Sequence, residues 1–592
     1  MISYFVCVCQ IAPGTGKTTT AGSIAFGFVH QCRSLSPHCK VLATAFSNVG
    51  ADNLAEKFLC LGLKVVRVGK ASGVSESLWP YTLDAAIERD PNAQKALEDA
   101  ARITAKIRMS GGGNSNDGNN SNRRKDISAE RAKRDAATDA VKASIQACNI
   151  AATRALREAD VIVATSIGAA DAQLLAACGI YPEEEEDDKK TSSGTTKRRA
   201  AVDTRPKTQF GMIREFAPDN LPPLSTPFVI IDEACQSVEP ASLIPIVSTN
   251  SCRALVMLGD PCQLPPTVRS DVSSTGESPL SISLMSRLAS TLPPPVTITA
   301  QKDNTPLETR YLQNKATRNA VSKLVSSTTA SSNNNNGISY RKQYSGSLLL
   351  SVQYRMHPSI AAFSSAIFYS GLLTSPMKLG SSRIFPPHLG EMFPSSNADN
   401  SVRFVQVGGR NNESREAVKS GSDLPTLSTT STISTTLTSA GEPSSVRSYR
   451  NDAEARRVVQ ILSSILLRKD ETSFQGSIGI VTPYSGQVAL IKSMMAKDAS
   501  LRGLMTSFPH EIEVKSVDAY QGRERDLIIF STVRSNRQGN VGFLSDWRRM
   551  NVAITRARGG LLVVGDADTL KDGDRHWNAF VQWCEQMDCL VK

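Results

Sequence analysis

The sequence predicts an α/β protein with two tandem domains, each built on a parallel sheet. Strand-length apolar runs alternate with helical patterns, at 4–9, 40–45, 160–165, 227–232 and 254–259. A second series follows at 348–352, 403–407, 477–482, 512–517, 526–533 and 561–565. Alternation of this kind covers parallel strands with helices. A glycine-rich loop and an acidic pair also follow two of the runs directly, as loops at the carboxyl ends of buried strands.

The first loop is Pro13-Gly14-Thr15-Gly16-Lys17-Thr18, after the apolar run Tyr4–Cys9. Gly14 and Gly16 allow a tight turn whose N–H groups face phosphate oxygens. Lys17 brings a point charge to the β and γ phosphates, and Thr18 offers a hydroxyl to Mg²⁺. From Thr18 a helix begins, and its dipole favours an anion. Ile11 stands where the pattern G-x-x-x-x-G-K-[ST] has its first glycine. A β-branched residue does not readily take positive φ. The sequence therefore predicts a differently shaped start to this loop, or a weakened site.

The second loop, Asp232-Glu233-Ala234-Cys235-Gln236, follows Phe228-Val229-Ile230-Ile231. Asp232 suits Mg²⁺, directly or through water. Glu233 suits the attacking water, because phosphoryl transfer is mostly positioning and charge. A further strand ends in Gly259-Asp260-Pro261-Cys262-Gln263-Leu264-Pro265-Pro266, a polar amide and a rigid Pro-Pro that can sense a γ-phosphate. Together the loops predict hydrolysis of a nucleoside triphosphate.

The later series supplies arginines. Arg355, in Gln353-Tyr354-Arg355-Met356-His357-Pro358, is placed to reach an anion between the domains. Arg549 and Arg556 are seven apart, so a helix puts them on one face. An arginine delivered across a domain interface is worth about 10³–10⁵ in rate. It also ties hydrolysis to domain closure. The loop Ser516–Asp526 and the strand end Val481-Thr482-Pro483-Tyr484 carry further polar groups suited to ribose, phosphate or a nucleic-acid backbone.

At 592 residues the chain has room for about two to four domains. Boundaries are predicted at 1–290 for the first domain, 291–344 for a low-complexity linker and 345–592 for the second domain. The helical stretches 84–108 and 127–158 read as a hairpin with a Gly/Asn-rich tip. The acidic then basic loop at about 183–225 and the Ser/Thr-rich insertion at about 411–448 are predicted to be disordered.

The net charge of +11 favours a polyanionic partner. The twelve cysteines include no C-x-x-C pair, and the six histidines have no ligand spacing. This pattern predicts reduced thiols in the cytoplasm or nucleus rather than a disulfide framework or zinc site. Lys189-Lys190 and Lys197-Arg198-Arg199 have the composition of a nuclear signal. No apolar run reaches the roughly 18 residues needed to span a bilayer. Met1–Cys9 reads as a buried strand rather than a signal sequence. No membrane partner and a monomeric chain are expected.

Taken in order, these segments resemble the superfamily 1 helicases of the up-frameshift type. That group includes the nonsense-mediated-decay helicase, senataxin and the immunoglobulin mu-binding helicase. Ala45-Phe46-Ser47-Asn48, Ala159–Ser166, Gln353–Pro358 and Gly542-Phe543-Leu544 through Arg558 also match strings of the group. The resemblance implies two RecA-like P-loop NTPase domains with ATP and Mg²⁺ between them. Gly14, Thr15, Gly16 and Lys17 would hold phosphate, and Thr18 and Asp232 the metal. Glu233 would be the base, Gln263 would couple the γ-phosphate to motion, and Arg355 and Arg556 would be arginine fingers. Tyr354 would stack on adenine, and Glu524 would bind ribose. Ser47, Asn48, Thr165 and Thr482 would touch the nucleic-acid backbone. The helices at 84–158 would match the group's accessory insertion.

Movement 5′ to 3′ on single-stranded RNA or DNA, and RNA-processing or decay proteins as partners, are further implications. The group also carries an adenine-reading glutamine motif and a stalk with a small β-barrel upstream. This chain begins sixteen residues before Lys17. The resemblance therefore implies a piece of a longer protein or a mis-started gene. Two alternatives stay open: a nucleic-acid-stimulated ATPase that remodels ribonucleoprotein without unwinding, and a non-catalytic nucleic-acid scaffold.

Overall fold

The computed structural model describes residues 5–110, 120–180, 222–268, 279–292, 296–298, 346–376, 383, 385–395, 399–408, 413–417, 447–466, 474, 476–498, 501–502 and 512–592. The first sheet has eight parallel strands in the order β3-β4-β2-β5-β6-β1-β8-β7. These are β1 Phe5–Ile11, β2 Cys39–Ala45, β3 Val65–Arg67, β4 Val161–Thr165, β5 Ser225–Asp232, β6 Ala254–Gly259, β7 Val296–Ile298 and β8 Gly346–Leu350. Parallel strands are buried on both faces, hence the continuous apolar runs. β1 shows why: Cys7, Cys9 and Ile11 join the core on one face, and Val8 joins the core on the other. The Cys7 and Cys9 sulfurs lie 3.5 Å apart on that shared face.

The second sheet has six strands, β13-β12-β14-β15-β9-β16. They are β9 Val402–Gln406, β12 Ile478–Thr482, β13 Ile512–Ser516, β14 Arg525–Ser531, β15 Ala557–Gly565 and β16 Leu590–Val591. Its core carries an aromatic cluster, with Phe363 edge-on to Phe580 at 5.0 Å and Phe580 stacked on Trp583 at 5.9 Å. Ala12 and Leu264, from loops of the first sheet, are buried in this same core. The two sheets therefore share packing at the site described below.

One expectation needs correction. The run at 348–352 was assigned to the second series, but β8 pairs with β1, Cys7 opposite Gly346 through Ile11 opposite Leu350. Leu348 and Leu350 pack against the core of the first sheet, so the second sheet begins at Val402 rather than near residue 345. The stretches at 291–344 and 411–448, expected to be mostly disordered, hold short strands near their edges. β7 pairs with β8, and β10 (Glu413–Ala417) pairs antiparallel with β11 (Arg447–Asn451). The remainder of both stretches, and most of 183–225, lies outside the described residues.

Ile11 does not need to be glycine. It is the last residue of β1, buried, and paired with Leu350. The left-handed turns fall on Gly14 (φ 78) and Gly16 (φ 88).

Helices α1 (Lys17–Leu35) and α2 (Asn48–Cys60) cover one face of the first sheet. The expected helical hairpin is α4 (Pro91–Ser110) with α5 (Asn120–Glu158), entered through α3 (Leu83–Arg89). Its root is fixed by Ala152 and Leu156 in the core and by an Arg154–Asp90 ion pair at 2.6 Å. Among the described residues no helix is long and apolar enough to cross a membrane.

Candidate active site

A cleft of about 390 Å³ lies where loops from both sheets meet. β1 delivers the phosphate loop and the start of α1. Gly16 caps α1 without a side-chain bond, so the first-turn N–H groups of that helix remain free for an anion. Thr15 is fixed by its hydroxyl, which donates to the Ala12 carbonyl at 2.8 Å.

The motif after β8 seats directly on this loop. The Tyr354 N–H donates to the Gly14 carbonyl at 2.8 Å. A Cβ on Gly14 would stand 2.6 Å from the Arg355 Cβ. Gly14→Ala combines that clash with left-handed backbone and is expected to cost about 1–3 kcal/mol. Thermal unfolding of the variant checks it. Gln353 shapes the turn from beneath, its Oε1 accepting from the N–H groups of Arg355 (2.9 Å) and Met356 (2.7 Å). His357 caps the helix Pro358–Phe368, accepting from Ser359 N–H at 3.2 Å. Burial lowers its pKa to about 4, which keeps the ring neutral.

β5 delivers Asp232 and Glu233. Lys17 bonds Glu233 and lies 3.4 Å from Asp232. Burial raises the Asp232 pKa to about 6, with Lys17 pulling the other way. Burial also works against the Glu233 carboxylate, yet Lys17 and Gln236 hold its pKa below the ordinary value. Burial alone would lower Lys17, but the two carboxylates raise it above its ordinary value. Glu233 takes left-handed backbone, φ 53, a conformation that costs a non-glycine residue about 1–3 kcal/mol. The strain thus sits on the carboxylate that meets Lys17. Lys17 and Asp232 are both within reach of the cleft, as is Thr18. This set of one cation, one hydroxyl and carboxylates fits a Mg²⁺–triphosphate.

β6 delivers Asp260 and Gln263. Gln263 lines the cleft and donates to Asp260 Oδ2 at 2.8 Å. Its neighbours Cys262 and Leu264 pack into the core of the second sheet instead.

The arginines arrive from the other side. Arg355 bonds Glu524 and donates to the Thr555 carbonyl at 3.2 Å. Glu524 also takes Arg558 at 3.0 Å. Burial opposes the Glu524 charge, but Arg355 and Arg558 more than offset it and lower the pKa to about 2. A depressed folded-state pKa contributes stability above the unfolded value, and that stability is lost as pH falls through the folded one. Glu524→Gln is therefore expected to be less stable than the wild type at pH 7. The gap is expected to close as pH falls from about 4.5, the ordinary value, towards 2. Thermal unfolding across that range checks it.

Arg556 is 2% exposed. Its guanidinium donates to the Val552 carbonyl at 2.8 Å and to Thr555 Oγ1 at 3.1 Å. Among the described residues it forms no ion pair with a carboxylate. Burial and the nearby Arg355 lower its pKa to about 9. Arg549 does not share its face. The helix ends at Ile554, Arg556 lies beyond it, and Arg549 instead pairs with Asp518 at 3.1 Å. The seven-residue spacing assumed a helix that stops before its second arginine.

Of the residues implied for nucleic acid, Ser47 and Asn48 follow the end of β2, and Thr165 ends the neighbouring strand β4. Ser47 caps α2, accepting from Gly50 N–H at 3.0 Å, and Asn48 accepts from Arg67 at 3.1 Å. Phe46, Val49 and Ile167 are exposed around them. Thr482 is different: it is fully buried at the end of β12, and its hydroxyl has no partner among the described residues. It offers no surface for contact. Tyr354, by contrast, is 54% exposed at the cleft.

Sequence reasoning missed Arg558 as a partner of Glu524, and Gln236, whose amide bonds Glu233. Both stood in strings already quoted. Tyr369 and Asn551 were also missed, and they are taken up below.

Two family models match, each described as an AAA domain, one over residues 5–180 and 219–271 and the other over 333–568. The regulator of nonsense transcripts 1 homolog of Arabidopsis thaliana is 28% identical over 588 residues, 98% of this chain and 33% of that protein. The ATP-dependent helicase upf1 of Schizosaccharomyces pombe is 28% identical over 591 residues, 98% of this chain and 45% of that protein. The DNA-binding protein SMUBP-2 of Rattus norvegicus is 26% identical over 562 residues, 95% of this chain and 41% of that protein. The chain thus spans less than half the length of each of these relatives. With both sheets matched and the same group of relatives aligned along nearly its whole length, the chain belongs to the superfamily 1 helicases of the up-frameshift type.

Proposed function

We propose that this chain hydrolyses ATP with Mg²⁺ in the cleft between the sheets and uses the reaction to move 5′ to 3′ along single-stranded nucleic acid, RNA in preference to DNA. The observation that carries the reading is Arg556. A buried guanidinium without a carboxylate partner among the described residues is costly unless an anion arrives, and it shares its cleft with Lys17, Asp232 and Glu233.

Lys17 exchanges Glu233 for phosphate oxygens when nucleotide binds, and Thr18 and Asp232 would hold the metal. When bound, the metal would supply charge neutralisation at the triphosphate. Glu233, released from Lys17 and oriented by Gln236, takes the proton of the attacking water. The water oxygen bonds the γ-phosphorus as the bond to the bridging oxygen of ADP breaks. Arg355 and Arg556 offset the charge that develops, and Tyr354 offers a ring to the base. Glu524, already tied to Arg355 and Arg558, faces the ribose. Ser47, Asn48 and Thr165 grip the strand backbone.

RNA is favoured because the Arabidopsis thaliana relative, aligned along 98% of this chain, is named as a regulator of nonsense transcripts; of the other two above, one is named for no nucleic acid and one for DNA. A cytoplasmic or nuclear site of action, alone or beside RNA-processing proteins, goes with this reading. Backbone grip makes binding weaken steeply with salt.

Displacement of a strand from partial duplexes with a 5′ or a 3′ single-stranded tail tests the reading. ATP-dependent displacement from the 5′-tailed RNA duplex is the expected result. Displacement only from the 3′-tailed duplex would overturn the direction. Hydrolysis without displacement from either duplex would favour the remodelling ATPase.

A further inference from the structure

Gln263 and its neighbours point in opposite directions. Gln263 lines the cleft, whereas Leu264 is buried in the core of the second sheet and the partly buried Cys262 packs against it. A polar network crosses the same boundary. Asp260, 4% exposed, accepts from Gln263 at 2.8 Å and from the Tyr369 hydroxyl at 2.7 Å, both on Oδ2. Asn551, fully buried, donates to the Tyr369 oxygen at 2.9 Å and to the Cys262 carbonyl at 2.8 Å. Tyr369 ends the helix Pro358–Phe368, and Asn551 lies on the helix Trp547–Ile554 that leads to Arg556. The Asn551 Oδ1 has no partner among the described residues, so this network is not in its best-satisfied arrangement.

We propose that Tyr369 is the positioning residue that couples the Gln263 loop to the second sheet: it relays whether Gln263 is bonded to Asp260 or to a γ-phosphate. The inference rests on the reading of the cleft as an ATPase site. When Gln263 turns to a phosphate, Asp260 Oδ2 loses one of its two side-chain donors and leans on Tyr369. Tyr369 in turn is held by Asn551, three residues before the helix terminus. Load on this network therefore reaches the segment that carries Arg556.

Tyr369→Phe removes one hydroxyl and keeps the ring. The test measures ATP hydrolysis by the full chain with and without a single-stranded oligouridylate. Oligouridylate affinity is measured with and without a non-hydrolysable ATP analogue. In Tyr369→Phe the stimulated kcat is expected to fall about tenfold, with the KM for ATP unchanged. The analogue is expected to stop altering oligouridylate affinity. Asn551→Leu reads the same coupling from the other end, and the double variant is expected to be no worse than the more impaired single one. Wild-type stimulation in Tyr369→Phe, or a raised KM with unchanged kcat, would overturn the inference while leaving the ATPase reading intact. A wild-type chain that hydrolyses no ATP would overturn both.

Discussion

Glu233→Gln is expected to slow ATP hydrolysis by about 10³-fold, the range of a positioned general base, without weakening nucleotide binding. The carboxylate has two positions to serve. In the structure it bonds Lys17, and Gln236 bonds its other oxygen. A glutamine keeps the size and the φ 53 backbone but carries no charge to hold Lys17. Lys17 is then freer to meet phosphate, so affinity is expected to stay level or rise. Single-turnover hydrolysis and equilibrium binding of a fluorescent ATP analogue separate the two effects. Unchanged hydrolysis would remove Glu233 as the base. Lost binding with unchanged chemistry would make it a nucleotide-holding residue instead.

Arg556→Ala is expected to lower kcat by about 10³–10⁵, and Arg556→Lys to recover little of it. The guanidinium is fixed by donating to Val552 and Thr555. A lysine ammonium cannot reproduce that planar fork. The fold is expected to survive, because removing Arg556 leaves no carboxylate without its partner among the described residues. Arg355→Ala is expected to differ: it leaves Glu524 with Arg558 as its remaining guanidinium partner, so stability falls together with rate. Steady-state kinetics beside thermal unfolding distinguishes the two arginines.

Much of the first sheet was legible because its strands are buried on both faces and so appear as unbroken apolar runs. β3 and β7 have three residues each and β16 has two, too short for periodicity to register. The partner of β8 was not legible at all. Nothing local in Gly346–Leu350 says that it pairs with β1, a strand more than three hundred residues earlier.

The phosphate loop and the acidic pair were legible because each is one contiguous segment after one strand. The arginines were only half legible. Arg556 was singled out, but its helix stops at Ile554 because Ala557–Gly565 begins a buried strand. Thr482 failed for a related reason: a strand end in a parallel sheet is covered, and polarity alone does not reveal depth. Tyr369 has no sequence signal. Only the fold brings its hydroxyl to Asp260, 109 positions away.

The central claim is that one cleft assembled from both sheets hydrolyses ATP in response to nucleic acid. Steady-state ATP hydrolysis with and without single-stranded RNA and single-stranded DNA, beside Lys17→Ala, tests it most directly. The expected result is strong stimulation, greater with RNA, that disappears in Lys17→Ala. A folded wild-type chain that hydrolyses no ATP, or whose hydrolysis survives Lys17→Ala, would contradict it.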